Sequence, residues 1–148
     1  MSTGADLPYA VTHHVRDTCL CLHLQRSARV VARRFDEALR PIGLTNGQFS
    51  LLMSLNRPEP ARMRSVANLL AMDRTTLTAN IKPLERRGLL KVAVDPEDKR
   101  SRLLILTAKG RALLVAALPI WKATHTEIDR VLAHTDLDAM RADLRSLS

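Results

Sequence analysis

A run of small and hydrogen-bonding residues between Asp73 and Lys82 has the composition of a surface that contacts DNA. Leu77 and Ile81 within it repeat at helical spacing, so the polar residues share the opposite side of a predicted helix. That side carries no bulky apolar group, as entry into the major groove, roughly 12 Å wide, requires. We expect DNA contacts from this side and from the far end of the same helix: Arg74, Thr75, Thr76, Thr78, Lys82 and Arg86.

The expected roles differ along this helix. Its N-terminus carries partial positive charge, so the first turn and the hydroxyl groups of Thr75 and Thr76 suit backbone phosphates. Basic residues at the far end suit phosphates further along the DNA: Arg86, Arg87 and Lys91. Pro83 should bend or loosen the last turns, and the sequence gives no functional reason for it.

A second candidate surface lies on a charged turn. Two short segments rich in Leu, Val and Ile flank residues 95–101 and predict the strands of a β-hairpin: residues 89–94 and 102–106. Arg100 on the projecting tip suits insertion into a narrow minor groove. We expect Asp98 to orient Arg100 or Arg102 through a fork-shaped ion pair. The alternative is that these are ordinary polar residues of a solvated turn.

Thiol chemistry is the third possibility. Cys21, with Cys19 beside it, is a redox candidate, because a thiolate can be oxidised to a sulfenic acid and resolved by another thiol. The alternative is that both are small hydrophobic residues of an apolar helix. Metal binding by Cys19, Cys21 and His23 is not expected, because helical residues two apart point about 200° from each other. We predict no metal and no cofactor.

The charge is concentrated where the DNA candidates lie. The 148-residue chain has a net charge of +8, and residues 45–102 hold 11 basic and 6 acidic groups, a net charge of +5. Such an excess suits a polyanion, although charge runs also simply solvate a surface. Four aromatic residues are too few for stacking single-stranded bases. The longest apolar stretch, residues 112–121, is about half a membrane span, so we expect a cytoplasmic protein without a membrane partner.

Helical periodicity surrounds these candidates. Apolar residues recur every three or four positions over residues 16–40, which predicts one long helix after a loose arm of residues 1–12. Gly43 follows the end of that helix. Thr45 and Gln48 then have the spacing of a capping box, which predicts the start of a second helix.

The following elements also have explicit boundaries. A short third helix is predicted over residues 62–70, and Asp73 can cap a fourth helix that ends at Gly88. After the hairpin, Thr107 can cap a fifth helix that runs to about residue 133 and is bent by its proline. The order of helices and hairpin predicts a mainly α fold with a small β-hairpin wing, that is, a winged helix-turn-helix with helical extensions.

The last helix predicts an assembly. It begins at Thr135 or Asp136, and about a dozen residues are too few to be stable alone. We expect it to bury Leu137, Met140, Leu144 and Leu147. The apolar run 112–121 also needs a partner, which is consistent with a homodimer. We divide the single-domain chain into a winged helix-turn-helix lobe, 44–106, and a dimerisation region, 16–43 and 107–148.

The chain resembles the multiple-antibiotic-resistance regulator (MarR) family of bacterial transcription factors over about residues 17–147. Residues 95–101, Asp-Pro-Glu-Asp-Lys-Arg-Ser, with Leu-Ile-Leu-Thr-Ala-Lys-Gly at 104–110, are similar to the family's wing signature of Asp-Pro-x-Asp-x-Arg and Leu-Thr-x-x-Gly. Three further motifs accompany it in order: Leu-Thr-x-x-Gln-Phe at 44–49, Asp-Arg-Thr-Thr-Leu at 73–77 and Leu-Glu-Arg-Arg-Gly-Leu at 84–89.

This resemblance implies an obligate homodimer in which the first, fifth and sixth helices interlock. It also implies a palindromic double-stranded operator read by the two fourth helices, with wing-tip arginines in the flanking minor grooves. Two-fold symmetry would space the recognition helices by about 34–36 Å. We therefore expect a transcriptional regulator, a repressor released by a small-molecule effector.

The effector expected from the resemblance is a small aromatic or anionic compound held between the two regions. Candidate residues for its pocket are His23, Ser27, Val30, Phe49 and Trp121. Trp121 is alternatively a plain core residue. One branch of the family senses organic hydroperoxides through a cysteine to which Cys21 corresponds. The two tyrosines that polarise that cysteine correspond here to Gln25 and Phe35.

An enzyme and a protein-binding module are the two alternative classes of function. Neither a glycine-rich phosphate loop nor a nucleophile elbow occurs in the sequence, so we expect no enzyme. A thiol peroxidase centred on Cys21 is the enzymatic alternative and would show turnover. A winged helix that binds protein is the other alternative, since fold alone does not fix function.

Overall fold

The computed structural model describes residues 6–148, which form seven α-helices, one 3-10 turn and a three-stranded sheet. The first helix, α1, spans Tyr9–Thr18, so the prediction of a loose arm is wrong for residues 9–12, whereas residues 1–5 lie outside the described residues. Helix α1 buries none of its residues. The sequence pattern missed it because a helix without a buried face has no apolar period to detect.

Helix α2, Leu20–Leu39, is separated from α1 by an extended residue. Cys19 has ψ of 107°, and its sulfur accepts the Leu22 backbone N–H at 3.5 Å as the helix cap. The predicted single helix over residues 16–40 is therefore wrong at its start. Arg40–Ile42 form the 3-10 turn, and Gly43 ends it with φ of +75°, a conformation that favours glycine.

Helix α3, Asn46–Ser54, begins with the predicted capping box. The Thr45 hydroxyl accepts the Gln48 backbone N–H at 3.2 Å, and the Gln48 side-chain oxygen accepts the Thr45 backbone N–H at 3.1 Å. These bonds satisfy amides that the first turn leaves without partners, which is why the helix begins at this position.

The lobe continues with β1 (Ala61–Arg62), α4 (Met63–Leu69), α5 (Arg74–Arg86), β2 (Leu90–Val94) and β3 (Arg102–Leu106). Strand β3 pairs antiparallel with both other strands, so the sheet order is β1-β3-β2. The sequence did not predict β1, because two residues are too few to show a period. The hairpin is confirmed, with Val94 opposite Arg102 and residues 95–101 as its tip.

Helix α6, Ala108–Val131, begins where it was predicted, since the Thr107 hydroxyl accepts the Gly110 backbone N–H at 3.0 Å. Helix α7, Leu137–Ser146, is capped by Asp136, whose carboxylate accepts the Ala139 N–H at 3.0 Å. Among residues 6–148, no helix combines the length and apolar character needed to cross a membrane.

The hydrophobic core joins the lobe to the adjoining halves of α2 and α6. Its fully buried side chains are Leu39, Leu51, Leu52, Leu77, Leu84, Leu89, Leu90 and Leu104. Helix α7 buries no residue within one chain. The prediction that it buries Leu137, Met140, Leu144 and Leu147 is therefore wrong for the single chain, in which Leu147 is 63% exposed. Only a second surface can cover these residues.

Candidate nucleic-acid interface

Helix α5 presents one buried and one accessible face. Leu77, Ile81 and Leu84 hold it in the core. Beside this buried face, four residues at successive intervals of four form a stripe that winds around the helix toward the opposite side, with a rise of about six ångströms between neighbours. Arg74, Lys82 and Arg86 of this stripe are exposed, and Thr78 is half-buried. The structure thus brings most of the predicted groove-facing residues onto one accessible face of a single helix.

The start of α5 is fixed by Asp73. Its carboxylate accepts the Thr76 backbone N–H at 2.7 Å and the Thr76 hydroxyl at 3.0 Å. The backbone N–H of Thr76, followed by its hydroxyl, holds the pKa of the Asp73 carboxyl below its ordinary value of 3.8. The hydroxyl proton of Thr76 is therefore already donated in the free protein.

The other two threonines of this helix differ from Thr76. The Thr78 hydroxyl donates to the Arg74 carbonyl at 2.8 Å within the helix. Thr75 makes no side-chain hydrogen bond to another residue of the described chain, and it is exposed. Of the three hydroxyl groups, that of Thr75 is the one free to donate to a phosphate without first breaking an internal bond.

The wing tip is ordered by backbone hydrogen bonds. Asp98 Oδ1 accepts the Arg100 backbone N–H at 3.0 Å, and the Asp98 carbonyl accepts the Ser101 N–H at 2.9 Å. Within residues 6–148, Asp98 makes no ion pair with Arg100 or Arg102. The expected fork-shaped pair is wrong, because a carboxylate two residues before an amide reaches it in a tight turn more easily than it reaches a guanidinium.

The two wing arginines have different surroundings. Arg102 Nη1 donates to the carbonyls of Lys99 and Ser101 at 3.2 and 3.3 Å, so this guanidinium closes the tip. Arg100 is exposed, and across the described residues its side chain forms no salt bridge. Its charge therefore projects from a turn whose backbone is held by Asp98.

A buried carboxylate lies at the base of the tip, and sequence reasoning missed its partner. Asp95 is only 3% exposed, and its Oδ1 accepts the Glu97 N–H at 3.0 Å. Arg62 Nε lies 3.7 Å from Asp95 Oδ2, and Arg62 Nη2 donates to Glu97 Oε2 at 3.3 Å. Arg62 thus ties β1 to the wing. The signal that could have found this pair is strand β1 itself, which was too short to predict.

The wing, α4 and the start of α5 enclose a cleft of about 420 Å³. Four arginines line it together with one acidic residue: Arg64, Arg74, Arg100, Arg102 and Asp98. Arg64 is a further residue that the sequence analysis did not select. Its signal was a basic side chain on the exposed side of a helix that buries Met63, Val66 and Ala67. The excess of positive charge in the cleft suits a polyanion.

At the far end of α5, the expected phosphate contacts are only partly available. Arg86 is exposed, as is Lys91 on β2. Arg87 is half-buried, and its Nη1 donates to the Gly43 carbonyl at 2.8 Å. One N–H of the Arg87 guanidinium is therefore bound to the protein backbone, and the expected phosphate contact of Arg87 stays a prediction.

An aromatic cluster lies between α2, α3 and α6. Trp121 stacks on Phe49 with a centroid distance of 6.2 Å and an interplanar angle of 19°, and on Phe35 at 6.5 Å and 25°. Phe49 and Trp121 line an open groove of about 530 Å³ with Met53, Leu69 and Leu118. Three other effector-pocket candidates are exposed residues of α2 and do not line this groove: His23, Ser27 and Val30.

The two cysteines lie at the start of α2 as free thiols. Cys19 is half-buried at the helix cap, and Cys21 is exposed two residues later. His23 Nδ1 donates to the Cys19 carbonyl at 2.7 Å and so points back along the helix. No group of three His, Cys, Asp or Glu residues able to hold a metal ion occurs in residues 6–148.

Comparison with known proteins places these features in a family. The MarR family model matches residues 44–101. The organic hydroperoxide resistance transcriptional regulator of Bacillus subtilis is 30% identical over 108 residues, which are 73% of this chain and 74% of that protein. The chain spans 63% and 65% of the length of two further curated regulators, just under two thirds of each.

Two solved structures share most of the fold. The M. tuberculosis transcriptional regulator MosR in complex with DNA is 38% identical, with a TM-score of 0.77 over 87% of this chain and 92% of that one. CouR of Rhodococcus jostii bound to p-coumaroyl-CoA is 26% identical, with a TM-score of 0.76 over 86% of this chain and 90% of that one. These relatives are transcriptional regulators.

Proposed function

The chain belongs to the MarR family, and from this premise we propose that it is a homodimeric, sequence-specific DNA-binding regulator of transcription, a repressor that a small molecule releases from its operator. The observation that carries the proposal is the cleft between α4, α5 and the wing. There Arg64 of α4, Arg74 of α5 and Arg100 of the wing tip line one cleft. The cleft lies at the start of α5, a helix with one face buried in the core. This arrangement offers a groove-facing helix and a projecting cation on one surface.

In the proposed complex, Arg74, Thr78 and Lys82 enter the major groove, and Arg86 at the far end of the stripe contacts a backbone phosphate. The N-terminus of α5 and the Thr75 hydroxyl contact backbone phosphates, which fix position without carrying sequence information. Arg100 enters the flanking minor groove, where a narrow groove concentrates negative potential. Asp98 holds the backbone of Arg100 and does not itself contact DNA.

The exposed apolar residues of the helical extensions support a homodimer. Leu20 at the start of α2, Met140 and Leu144 on α7 and Leu147 at its C-terminal cap are exposed within one chain. A second copy that packs its own α2, α6 and α7 against them would remove this apolar area from water. The two copies of α5 would then lie about 34–36 Å apart and read a palindromic operator.

Release by a small molecule is proposed at the groove lined by Phe49 and Trp121. Its lining is largely apolar and includes the aromatic residues Phe49 and Trp121, which suits a small aromatic compound. The groove lies between α3 of the lobe and α6 of the dimerisation region. A ligand there would alter how the two pack. CouR, a relative of the same fold, is bound to an aromatic CoA thioester.

The experiment that tests this function is fluorescence anisotropy with DNA from upstream of the chain's own gene and with scrambled DNA, each at two salt concentrations. We expect salt-sensitive binding with a preference of about a hundredfold or more for the specific DNA. Arg100→Ala should weaken specific binding about tenfold through the lost minor-groove contact. Weak binding that is equal for both DNAs, and equal in Arg100→Ala, would contradict the proposal.

Redox sensing through Cys21 is a second candidate, favoured by the exposure of this thiol beside Cys19. The Cys21 thiolate would attack a hydroperoxide, forming a sulfenic acid and releasing the alcohol. The relative from Bacillus subtilis carries organic hydroperoxide resistance in its name. Neither Gln25, which is exposed, nor Phe35, which is buried against Trp121, carries a phenol hydroxyl that could polarise Cys21.

This second candidate is tested by treating the DNA complex with an organic hydroperoxide. Loss of DNA binding in the wild type and its retention in Cys21→Ser would support it, with trapping of the sulfenic acid by mass spectrometry. Continuous consumption of hydroperoxide in the presence of a thiol reductant would instead indicate the enzymatic alternative. Unchanged DNA binding together with an unmodified Cys21 would rule out both.

A further inference from the structure

Two adjacent arginines at the end of α5 have opposite surroundings. Arg86 is exposed and makes no side-chain hydrogen bond to another described residue. Arg87 is half-buried, and its Nη1 donates to the Gly43 carbonyl at 2.8 Å, across 44 positions of sequence. The same guanidinium lies against the Cα of Gly43, because Nη2 is only 3.3 Å from the position that a Cβ would occupy there. Arg87 therefore joins the recognition helix to the glycine that ends the 3-10 turn after α2.

The carbonyls that follow α5 are bound by α6. The Arg87 carbonyl accepts Lys109 Nζ at 2.9 Å, and the Gly88 carbonyl accepts the Thr107 hydroxyl at 2.7 Å. The Leu89 carbonyl accepts the Thr107 N–H at 3.2 Å. These bonds hold the turn after α5 against the first turn of α6.

The backbone of α6 also packs closely against the turn after α5. A Cβ at Gly110 would lie 2.1 Å from the Leu89 carbonyl oxygen, so only glycine permits α6 to approach the turn this closely. The C-terminal end of α5 and the turn that follows it are consequently bonded to the end of the 3-10 turn after α2 and to the first turn of α6. We refer to residues 87–89 with their partners Gly43, Thr107 and Lys109 as the α5 junction.

We propose that Arg87 is a positioning residue that fixes the angle between α5 and helices α2 and α6, and thereby sets which spacing of DNA half-sites the dimer accepts. This inference rests on the proposed function. Helices α2 and α6 belong to the dimerisation region, so the direction of α5 relative to them determines the distance between the two recognition helices. A charge-assisted hydrogen bond to a backbone carbonyl is strong and directional, and it holds such an angle well.

The physical consequence is a separation of roles between neighbours. Arg86 contributes its charge to a phosphate, which affects affinity and salt dependence. Arg87 contributes geometry, which affects discrimination between spacings. Loss of the Arg87 bond leaves the reading face of α5 intact, because Arg74, Thr78 and Lys82 lie one to three turns earlier. The half-sites should still be recognised, whereas the penalty for moving them apart should fall.

The experiment begins by selecting a preferred operator for the wild-type dimer from a random pool of duplexes. One base pair is then inserted or deleted at the centre of symmetry, which moves each half-site relative to the other by about 3.4 Å. We expect the wild type to lose about tenfold or more in affinity for the altered spacing. Arg87→Met should lose less than about threefold, the difference that one charge-assisted hydrogen bond supports.

The matched control is Arg86→Met, one residue earlier. It should keep the wild-type penalty for altered spacing while its salt slope falls by about 1. Arg87→Lys should restore part of the spacing penalty, because its ammonium can still donate to the Gly43 carbonyl. Lys109→Met removes one of the three hydrogen bonds between α6 and the turn after α5, and it tests the junction if Arg87→Met fails to fold, as judged by circular dichroism and dimer mass.

The outcomes separate this inference from the function beneath it. If the wild type enriches no sequence from the pool, the proposed function fails and the inference with it. If the wild type selects an operator but Arg87→Met and Lys109→Met retain its full spacing penalty, the positioning role of Arg87 is wrong. An equal loss of affinity at every spacing in Arg87→Met, with a lower salt slope, would make Arg87 a phosphate contact instead.

Discussion

Residues 44–106 and the helical extensions around them differ in how far one chain buries their apolar residues. The lobe buries most of its leucines, among them Leu52, Leu77 and Leu104, within a single chain. The extensions leave apolar residues on the surface, and α1 and α7 contain no buried residue. One region satisfies the hydrophobic effect by itself, whereas the other can satisfy it only through a second surface.

Polar groups follow the same division. In the lobe, Asp73, Asp95 and Asp98 are each bound to backbone N–H groups that fix a helix start or the wing. In the extensions, Arg16 pairs with Asp17 and Arg141 with Asp138 on exposed surface, where ion pairs contribute little to stability. The lobe therefore has a defined shape before it meets DNA.

The substitution with the largest expected effect is in α7 and tests whether its exposed apolar residues form an interface. Replacing Met140 and Leu144 together by aspartate should raise the dimer dissociation constant about a thousandfold or more, because two carboxylates would be buried in an apolar interface. Sedimentation at micromolar concentration should then show a monomer whose lobe still unfolds cooperatively. Asp138→Asn is the control, since this side chain is 98% exposed and lies on another side of the helix. A double variant that stays dimeric would show that α7 is not an interface.

A smaller effect tests the contact between the two regions. Gly110→Ala places a methyl group 2.1 Å from the Leu89 carbonyl oxygen and 2.8 Å from Leu106 Cδ1, so α6 must move away from the lobe. We expect a loss of about 2 kcal/mol in the free energy of unfolding, typical of overpacking, measured by urea denaturation of the dimer.

The matched control for that prediction is Gly47→Ala. A Cβ at Gly47 would meet no atom within 4 Å, and the residue lies in the first turn of α3. Alanine there should raise the free energy of unfolding by about 0.5 kcal/mol, because it restricts the unfolded chain. Equal effects of the two substitutions would mean that α6 and the lobe are not in close contact.

The smallest effect concerns a cap within the lobe. Hydrogen bonds from Thr76 lower the pKa of Asp73 in the folded state below 3.8. The stability that the charged carboxylate contributes is therefore present above its unfolded pKa and is lost as the pH falls through the folded pKa. The difference in stability between the wild type and Asp73→Asn should be constant near neutral pH and should decline only in acid. A difference that declines well above pH 3.8 would contradict the assigned hydrogen bonds.

Local signals accounted for much of the fold. The capping box at Thr45 and the caps at Asp73 and Thr107 were predicted, because each depends on residues within about four positions of one another. The hairpin was predicted from two short apolar segments on either side of a polar turn. The predictions failed where no local signal exists. Helix α1 has no apolar face, and β1 has only two residues.

Contacts between distant residues explain the failures at the site. The sequence could not distinguish Arg86 from Arg87, because only the folded chain brings the Gly43 carbonyl to one of them. It likewise could not pair Arg62 with Asp95 or group Phe49 with Trp121 while leaving His23 outside their groove. The predicted ion pair between Asp98 and an arginine side chain is wrong for a local reason. The Asp98 carboxylate accepts the nearby backbone N–H of Arg100 instead.

The sequence by itself determined the order of helices and hairpin, the face of α5 that stays in solvent and the arginine at the wing tip. These follow from periodicity, capping residues and charge, which act over a few residues along the chain. The tertiary structure alone decided which charged groups remain free to meet DNA and which are committed to the protein. That division depends on carbonyls and carboxylates brought together from distant positions, and packing of the core is what brings them there.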